Sequence, residues 1–157
     1  MRFIPLLVLL VITLSSVAQT KHALVCAIGD YPVYETDPCS GWSKINGDND
    51  IPFVLDILYA NGFQQPNIAV LKNEEATFNG IKMAFKRLLK AVACGDVVYI
   101  HFSGHGQLIT DLDGDEESGL DESMIPYDAR RIYRQGVYEG ENHLVDDTLN
   151  VWLNELY

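Results

Sequence analysis

Three short, almost wholly apolar runs set the frame of this chain: HALVCAIG at 22–29, NIAVL at 67–71 and VVYIHFSG at 97–104. A strand that faces water on one side alternates apolar with polar residues. An unbroken apolar run of this length belongs to a strand covered on both faces, as in a parallel sheet. Between the runs the period changes to that of a helix. DNDIPFVLDILYANG places Ile51, Val54, Leu55 and Leu58 on one face, with an Asp or Asn as N-cap, Pro52 in the first turn and Gly62 as the stop. Thr77 caps a second, longer helix whose Phe78, Ile81, Phe85, Leu88, Leu89 and Val92 turn to the core until Gly95 ends it. After the third strand an acidic, glycine-containing loop is expected to run to about 145. A last helix then extends from Asp146 or Asp147 through Leu156, with Leu149, Trp152, Leu153 and Leu156 on one side. The order strand, helix, strand, helix, strand, loop, helix predicts an α/β fold with a mostly parallel sheet, flanking helices and right-handed crossovers. A closing helix in such a pattern leads into another strand, so the domain is expected to be incomplete at its C-terminus.

The first residues obey a different rule. One basic residue, Arg2, precedes an apolar segment from Phe3 to Leu14, and Ser16 and Ala18 have the small-residue spacing of a signal-peptidase site. Residues 1–18 are therefore expected to be a signal peptide, cut near Ala18, leaving an exported chain, periplasmic or secreted, with no membrane segment. The remainder, from 22 to 157, suffices for one domain. The net charge of −11 disfavours nucleic acid and anionic membrane surfaces, because phosphate binding needs clustered Lys and Arg. Seven of the 22 acidic residues fall between Asp111 and Glu122, a density that suits a solvated loop, a cation site or the attraction of a basic substrate. Three cysteines are too few for a disulfide scaffold, so stability must come from the core.

Chemistry in an open parallel sheet collects beyond the carboxyl ends of the strands. His105 lies there, bracketed by Gly104 and Gly106, which permit a sharp turn and close approach to a substrate. The N–H after His105 is a candidate oxyanion donor. His101 lies inside the strand and is expected to be a buried, hydrogen-bonded core residue. A histidine base in this position ordinarily serves a hydroxyl or a thiol. Cys94 stands at the other end of the same strand, about 30 Å away at ~3.3 Å per residue. Cys26 reads as a small hydrophobe within a buried strand, and Cys39 is in the loop after the first strand with no motif around it.

HALVCAIGDYP, W-x-x-I-N-G-D-N-D, GF-x-x-x-NI-x-x-L, GDVVYIHFSGHG, DLDGDEESGLDESMIPYD and LVDDTLN follow one another as in the caspase-like cysteine peptidases, and the chain resembles bacterial metacaspase-type proteins in particular. The resemblance implies a caspase-like fold and a cysteine endopeptidase acting on protein or peptide substrates, with His105 as the catalytic histidine and Gly106 N–H as an oxyanion donor. It places the nucleophile in a D-x-C-H-S-G-like segment at the end of the next strand, about fifty residues after the histidine and hence beyond residue 157. Cleavage after Arg or Lys is the family habit. By position Asp50 matches the acidic floor of the specificity pocket and Ser103 its serine, although the family often has G-C-x-N-D where this chain has N-G-D-N-D. A carboxylate is what a basic side chain needs there, but Asp50 also stands where a helix N-cap is wanted.

The same resemblance suggests a calcium site built from Asp121, Asp146 and Asp147. Hard oxygen ligands from separated loops suit that ion, and the alternative is that Asp146 and Asp147 simply cap the last helix. An EF-hand is disfavoured, since DLDGDEESGLDE puts Glu116 at the sixth position, where the turn needs glycine, and a strand instead of a helix is expected to precede it. The rival to the peptidase is an inactive exported module that keeps the fold and binds a partner or calcium.

Overall fold

The computed structural model describes residues 19–111 and 114–156, so the expected signal peptide at 1–18 lies outside the described residues. Strand β1 (Lys21–Ala27), helix α1 (Asp50–Ala60), strand β2 (Ile68–Lys72), helix α2 (Phe78–Ala91) and strand β3 (Val97–Ser103) follow one another as the periodicities require. The three strands form a parallel sheet in the order β2-β1-β3.

Placing β1 in the centre explains its unbroken apolar run. Successive residues of a strand point to opposite faces. Ala23 and Val25 pack under α1 with Val54, Leu58 and Phe63, while Leu24, Cys26 and Ile28 pack under α2 with Ile81, Phe85 and Leu88. Each large aliphatic side chain so enclosed contributes about 1.5–3 kcal/mol relative to exposure. The chain moves one way from β1 to β2 and the other way from β2 past β1 to β3, so right-handed crossovers put α1 and α2 on opposite faces. Thr77 caps α2 as expected, its hydroxyl accepting from Gly80 N–H at 3.0 Å. The helix closes at Ala91, earlier than Gly95, which instead makes the left-handed turn into β3 (φ +93°).

Two expectations are corrected beyond β3. The stretch to 145 is not a single loop: strands β4 (Gly106–Thr110), β5 (Leu120–Met124) and β6 (Leu144–Val145) form a second, antiparallel sheet in that order. Its acidic and polar composition hid the period-two pattern, in which Asp121 and Ser123 of β5 are buried and their neighbours are not. His101 is half-buried instead of enclosed, because β3 is hydrogen-bonded only to β1 among the described residues. It shares the α1 face with Tyr99, on whose ring it stacks at 6.4 Å, and its buried Nε2 has no hydrogen-bond partner among the described residues.

Helix α3 (Asp146–Asn154) packs beside α2, with Trp152 in ring contact with Phe78 and Phe85 at 6.0 and 5.5 Å. Its N-cap is Val145, so Asp146 and Asp147 are not caps. They occupy the first turn, where the positive end of the helix favours their charge.

Candidate active site

The order β2-β1-β3 creates a switch point between the carboxyl ends of β1 and β3. The loop that leaves β1 closes over it. Ile28 N–H donates to Ser103 O at 2.8 Å and Ile45 N–H to Gly29 O at 2.9 Å. Gly47 lies directly across both strand ends: a Cβ there would stand 2.5 Å from Ile28 O and 3.0 Å from Ser103 O. The loop is therefore built on the strand ends, and it carries Ser43 and Asp50 to them.

His105 is held from four sides. Its backbone N–H donates to the Tyr31 hydroxyl at 3.0 Å, and that hydroxyl donates to Ile125 O at 3.1 Å. Its ring stacks on Trp42 (centroids 5.0 Å apart, 29° between planes) and leans on Tyr31 (5.2 Å). Trp42 is itself fixed by its Nε1–H to Ala129 O at 3.0 Å. The imidazole Nε2 lies 2.9 Å from Ser43 O. A carbonyl oxygen only accepts, so Nε2 carries the proton and Nδ1 is the basic nitrogen. Gly104 has no room for a side chain, since a Cβ would stand 2.9 Å from both Phe102 Cε1 and the Tyr31 hydroxyl. Burial pushes the Tyr31 phenol up to about 12, against the opposing pull of His105 N–H, so at neutral pH it remains a proton-bearing bridge.

Gly106 opens β4 opposite Met124, and Ile125 N–H donates to His105 O at 3.0 Å. In an antiparallel ladder that bond makes Gly106–Met124 a non-hydrogen-bonded pair, so Gly106 N–H points away from β5 and is available to a substrate oxygen.

Asp50 and Ser103, 53 residues apart in sequence, meet: the Ser103 hydroxyl donates to Asp50 Oδ2 at 2.5 Å. Asp50 opens α1, its N-cap is Asn49, and it makes no side-chain capping bond, so the capping alternative falls away. Its carboxylate is exposed and has no cationic partner among the described residues. Asp48, two residues earlier, is engaged by Lys72 at 3.2 Å, which holds its carboxyl below the usual range.

The three aspartates expected at a calcium site separate into adjacent groups. Asp121 lies with Asp111 and Asp115, and Asp146 with Glu116 and Glu122, each trio offering carboxylate oxygens within 4.8 Å of one another. Asp147 belongs to neither. Asp121 is 5 % exposed, and Asp146 Oδ1 is buried without a hydrogen-bond partner. Partial desolvation and the facing charges of Glu122, Asp146, Asp111 and Asp121 push the Glu116 carboxyl up. An all-oxygen donor set with mutual repulsion and an orphaned buried oxygen fits a hard divalent cation such as calcium.

Tyr31, Trp42 and the Ser43 carbonyl were not legible as site residues. A backbone carbonyl leaves no side-chain signal. The aromatics had one, since Tyr31 and Trp42 are large apolar residues within an otherwise turn-rich loop.

Residues 48–157 match the family profile described as metacaspase, peptidase C14 domain. The chain is 32 % identical over 109 residues to Metacaspase-1 of Sclerotinia sclerotiorum, covering 65 % of this chain and 23 % of that protein. It is 40 % identical over 74 residues to Metacaspase-1B of Aspergillus terreus, covering 47 % and 17 %. The chain thus spans about a quarter or less of the length of these curated relatives. Protein GSU0716 from Geobacter sulfurreducens shares its fold, with a TM-score of 0.65, 24 % identity and coverage of 87 % of this chain and 45 % of the other.

Proposed function

Since the chain belongs to the metacaspase family of peptidase C14 domains, we propose that it is the histidine-bearing part of a cysteine endopeptidase that cleaves proteins or peptides after Arg or Lys. The bond between His105 Nε2 and Ser43 O carries the reading, because it leaves Nδ1 as the base at the carboxyl end of β3. The base takes the thiol proton as sulfur attacks the scissile carbonyl carbon, and returns it to the amine as the C–N bond breaks. Water, activated by the same nitrogen, then cleaves the thioester and restores the thiol. Gly106 N–H donates to the oxygen that becomes negative in each attack. The exposed Asp50 carboxylate, oriented by Ser103, receives the guanidinium or ammonium of the residue before the cut.

The thiol comes from outside these 157 residues. Burial pushes Cys26 up to about 12, so it stays protonated at neutral pH. Cys94 sits at the amino end of β3, opposite His105, and Cys39 is exposed with no sulfur contact to the imidazole among the described residues. A strand added in parallel to the open edge of β3 would carry its carboxyl end, and a thiol there, beside His105. Asp121 and Asp146, with the acids grouped around them, would hold a calcium ion that fixes the β4–β5 connection against α3. The leader at 1–18 would direct export.

The test is cleavage of Arg and Lys peptides by the full-length protein. His105→Ala is expected to lower kcat/KM by about 10²–10⁴, and Asp50→Asn to raise KM for both peptides. Unchanged cleavage by His105→Ala refutes the dyad; no cleavage by the unaltered protein overturns the Arg/Lys peptidase reading.

A further inference from the structure

The antiparallel sheet leaves one long edge open. The bond from Ile125 N–H to His105 O and that from Asp111 N–H to Gly119 O (3.1 Å) flank the register pairs Gly106–Met124, Leu108–Glu122 and Thr110–Leu120. All three are therefore non-hydrogen-bonded pairs, and the N–H and C=O of Gly106, Leu108 and Thr110 point away from β5, repeating about every 7 Å. No strand pairs with that side among the described residues. Leu108 is 54 % exposed. Beside it lies a cavity of about 310 Å³ lined in part by Ile109, Tyr133, Tyr138 and His143.

We propose that the outer edge of β4 is a rail that binds the substrate on the leaving side of the scissile bond, as an added strand. The inference rests on the peptidase reading above. Ser103, His105 and Gly106 stand in this order along the chain: the contact for the basic side chain, the base that protonates the leaving amine, then the oxyanion donor from which β4 departs. A substrate whose carbonyl oxygen sits on Gly106 N–H and whose basic side chain reaches Asp50 has its remaining chain directed away from Asp50, along Leu108 and Thr110. Main-chain bonds to alternate residues give affinity there, and the cavity receives every second side chain, favouring an apolar or aromatic one. The edge thus has a function beyond the pocket at Asp50: it selects extended substrates with a free-running chain after the cut.

Two substrates of the full-length protein separate the possibilities, one with Arg followed only by a coumarin leaving group, the other an internally quenched peptide with five residues after the Arg. Leu108→Pro removes an outward N–H and no ladder bond. It is expected to lower the ratio of kcat/KM for the peptide over the coumarin substrate on the order of fivefold, as loss of one hydrogen bond requires. N-methylating the peptide's leaving-side amides one at a time should weaken cleavage at alternate positions only, a readout that stands even if Leu108→Pro misfolds. An unchanged ratio, or a methylation scan without alternation, overturns the rail while leaving the peptidase intact. Loss of a dimer in Leu108→Pro with the ratio unchanged assigns the edge to a second copy and overturns it too. Failure of the unaltered protein to cleave either substrate overturns both readings.

Discussion

Removing one oxygen atom tests whether the histidine is held as described. In Tyr31→Phe the ring keeps its place, 8 % exposed, but His105 N–H loses its acceptor and Ile125 O its donor. Each bond is worth about 1 kcal/mol net, and a group left orphaned away from water costs a further part of its desolvation. The sum is about 2–3 kcal/mol. With a urea dependence of about 1–3 kcal/mol per molar for a domain of this size, the midpoint should fall by about 1 M with its slope unchanged. Trp42 stacks on His105 and supplies the fluorescence signal for the titration. Tyr133→Phe, at a ring 63 % exposed, is the control and should stay within about 0.5 kcal/mol. A Tyr31→Phe midpoint indistinguishable from that control would refute the bridge, and with it the claim that the tyrosine fixes the backbone of His105.

Further outcomes concern cations and protons. Calcium at a hundredfold excess over its dissociation constant should stabilise the protein by roughly 2.7 kcal/mol, seen as a raised melting temperature, and Asp146→Asn should remove most of that rise; a calcium-independent melting temperature would sink the site. Burial holds the His143 imidazole below its usual 6.5, and it is bonded to the Tyr138 hydroxyl at 2.9 Å and to Gln107 Oε1 at 3.1 Å. The folded state thus favours neutral His143 while the unfolded chain takes up a proton below about pH 6.5, so this contribution is complete above that pH and lost as acid is added. The urea midpoint should decline from pH 6.5 downward, and His143→Gln should flatten the decline; equal slopes would contradict it.

The parallel sheet was readable because its signal is additive: six consecutive buried residues in β1 leave no other element that could hide them. Helix α2 was equally open, since its cap and its apolar stripe agree. The antiparallel sheet was not, because β5 reads LDESM and buries Asp121 and Ser123, polar side chains that show no apolar alternation, with the Ser123 hydroxyl donating across the sheet to Gln107 O at 2.8 Å. Of the site, Asp50, Ser103, His105 and Gly106 could be named from the residues and the family they resemble. The group that decides which nitrogen is basic could not, since a main-chain carbonyl at Ser43 looks the same in every residue type. The acidic residues were legible as a crowd and, by resemblance, as one group of Asp121, Asp146 and Asp147; their division into two trios was not, because Asp146 of α3 meets Glu116 and Glu122 in space and not in sequence order.

The one-sided pairing of β3 also bears on how the molecule behaves at high concentration. Among the described residues, one side of the seven-residue strand VVYIHFS is unpaired and its side chains are only partly covered, a template onto which an identical edge can zip wherever no further strand of the full-length protein occupies it. The net charge of −11 opposes that contact over a distance that shrinks from about 30 Å in 0.01 M salt to about 3 Å in 1 M. Wherever that side of β3 is uncovered, colloidal stability is expected to follow ionic strength: dilute buffer protects, and concentrated salt brings the edges within reach of one another.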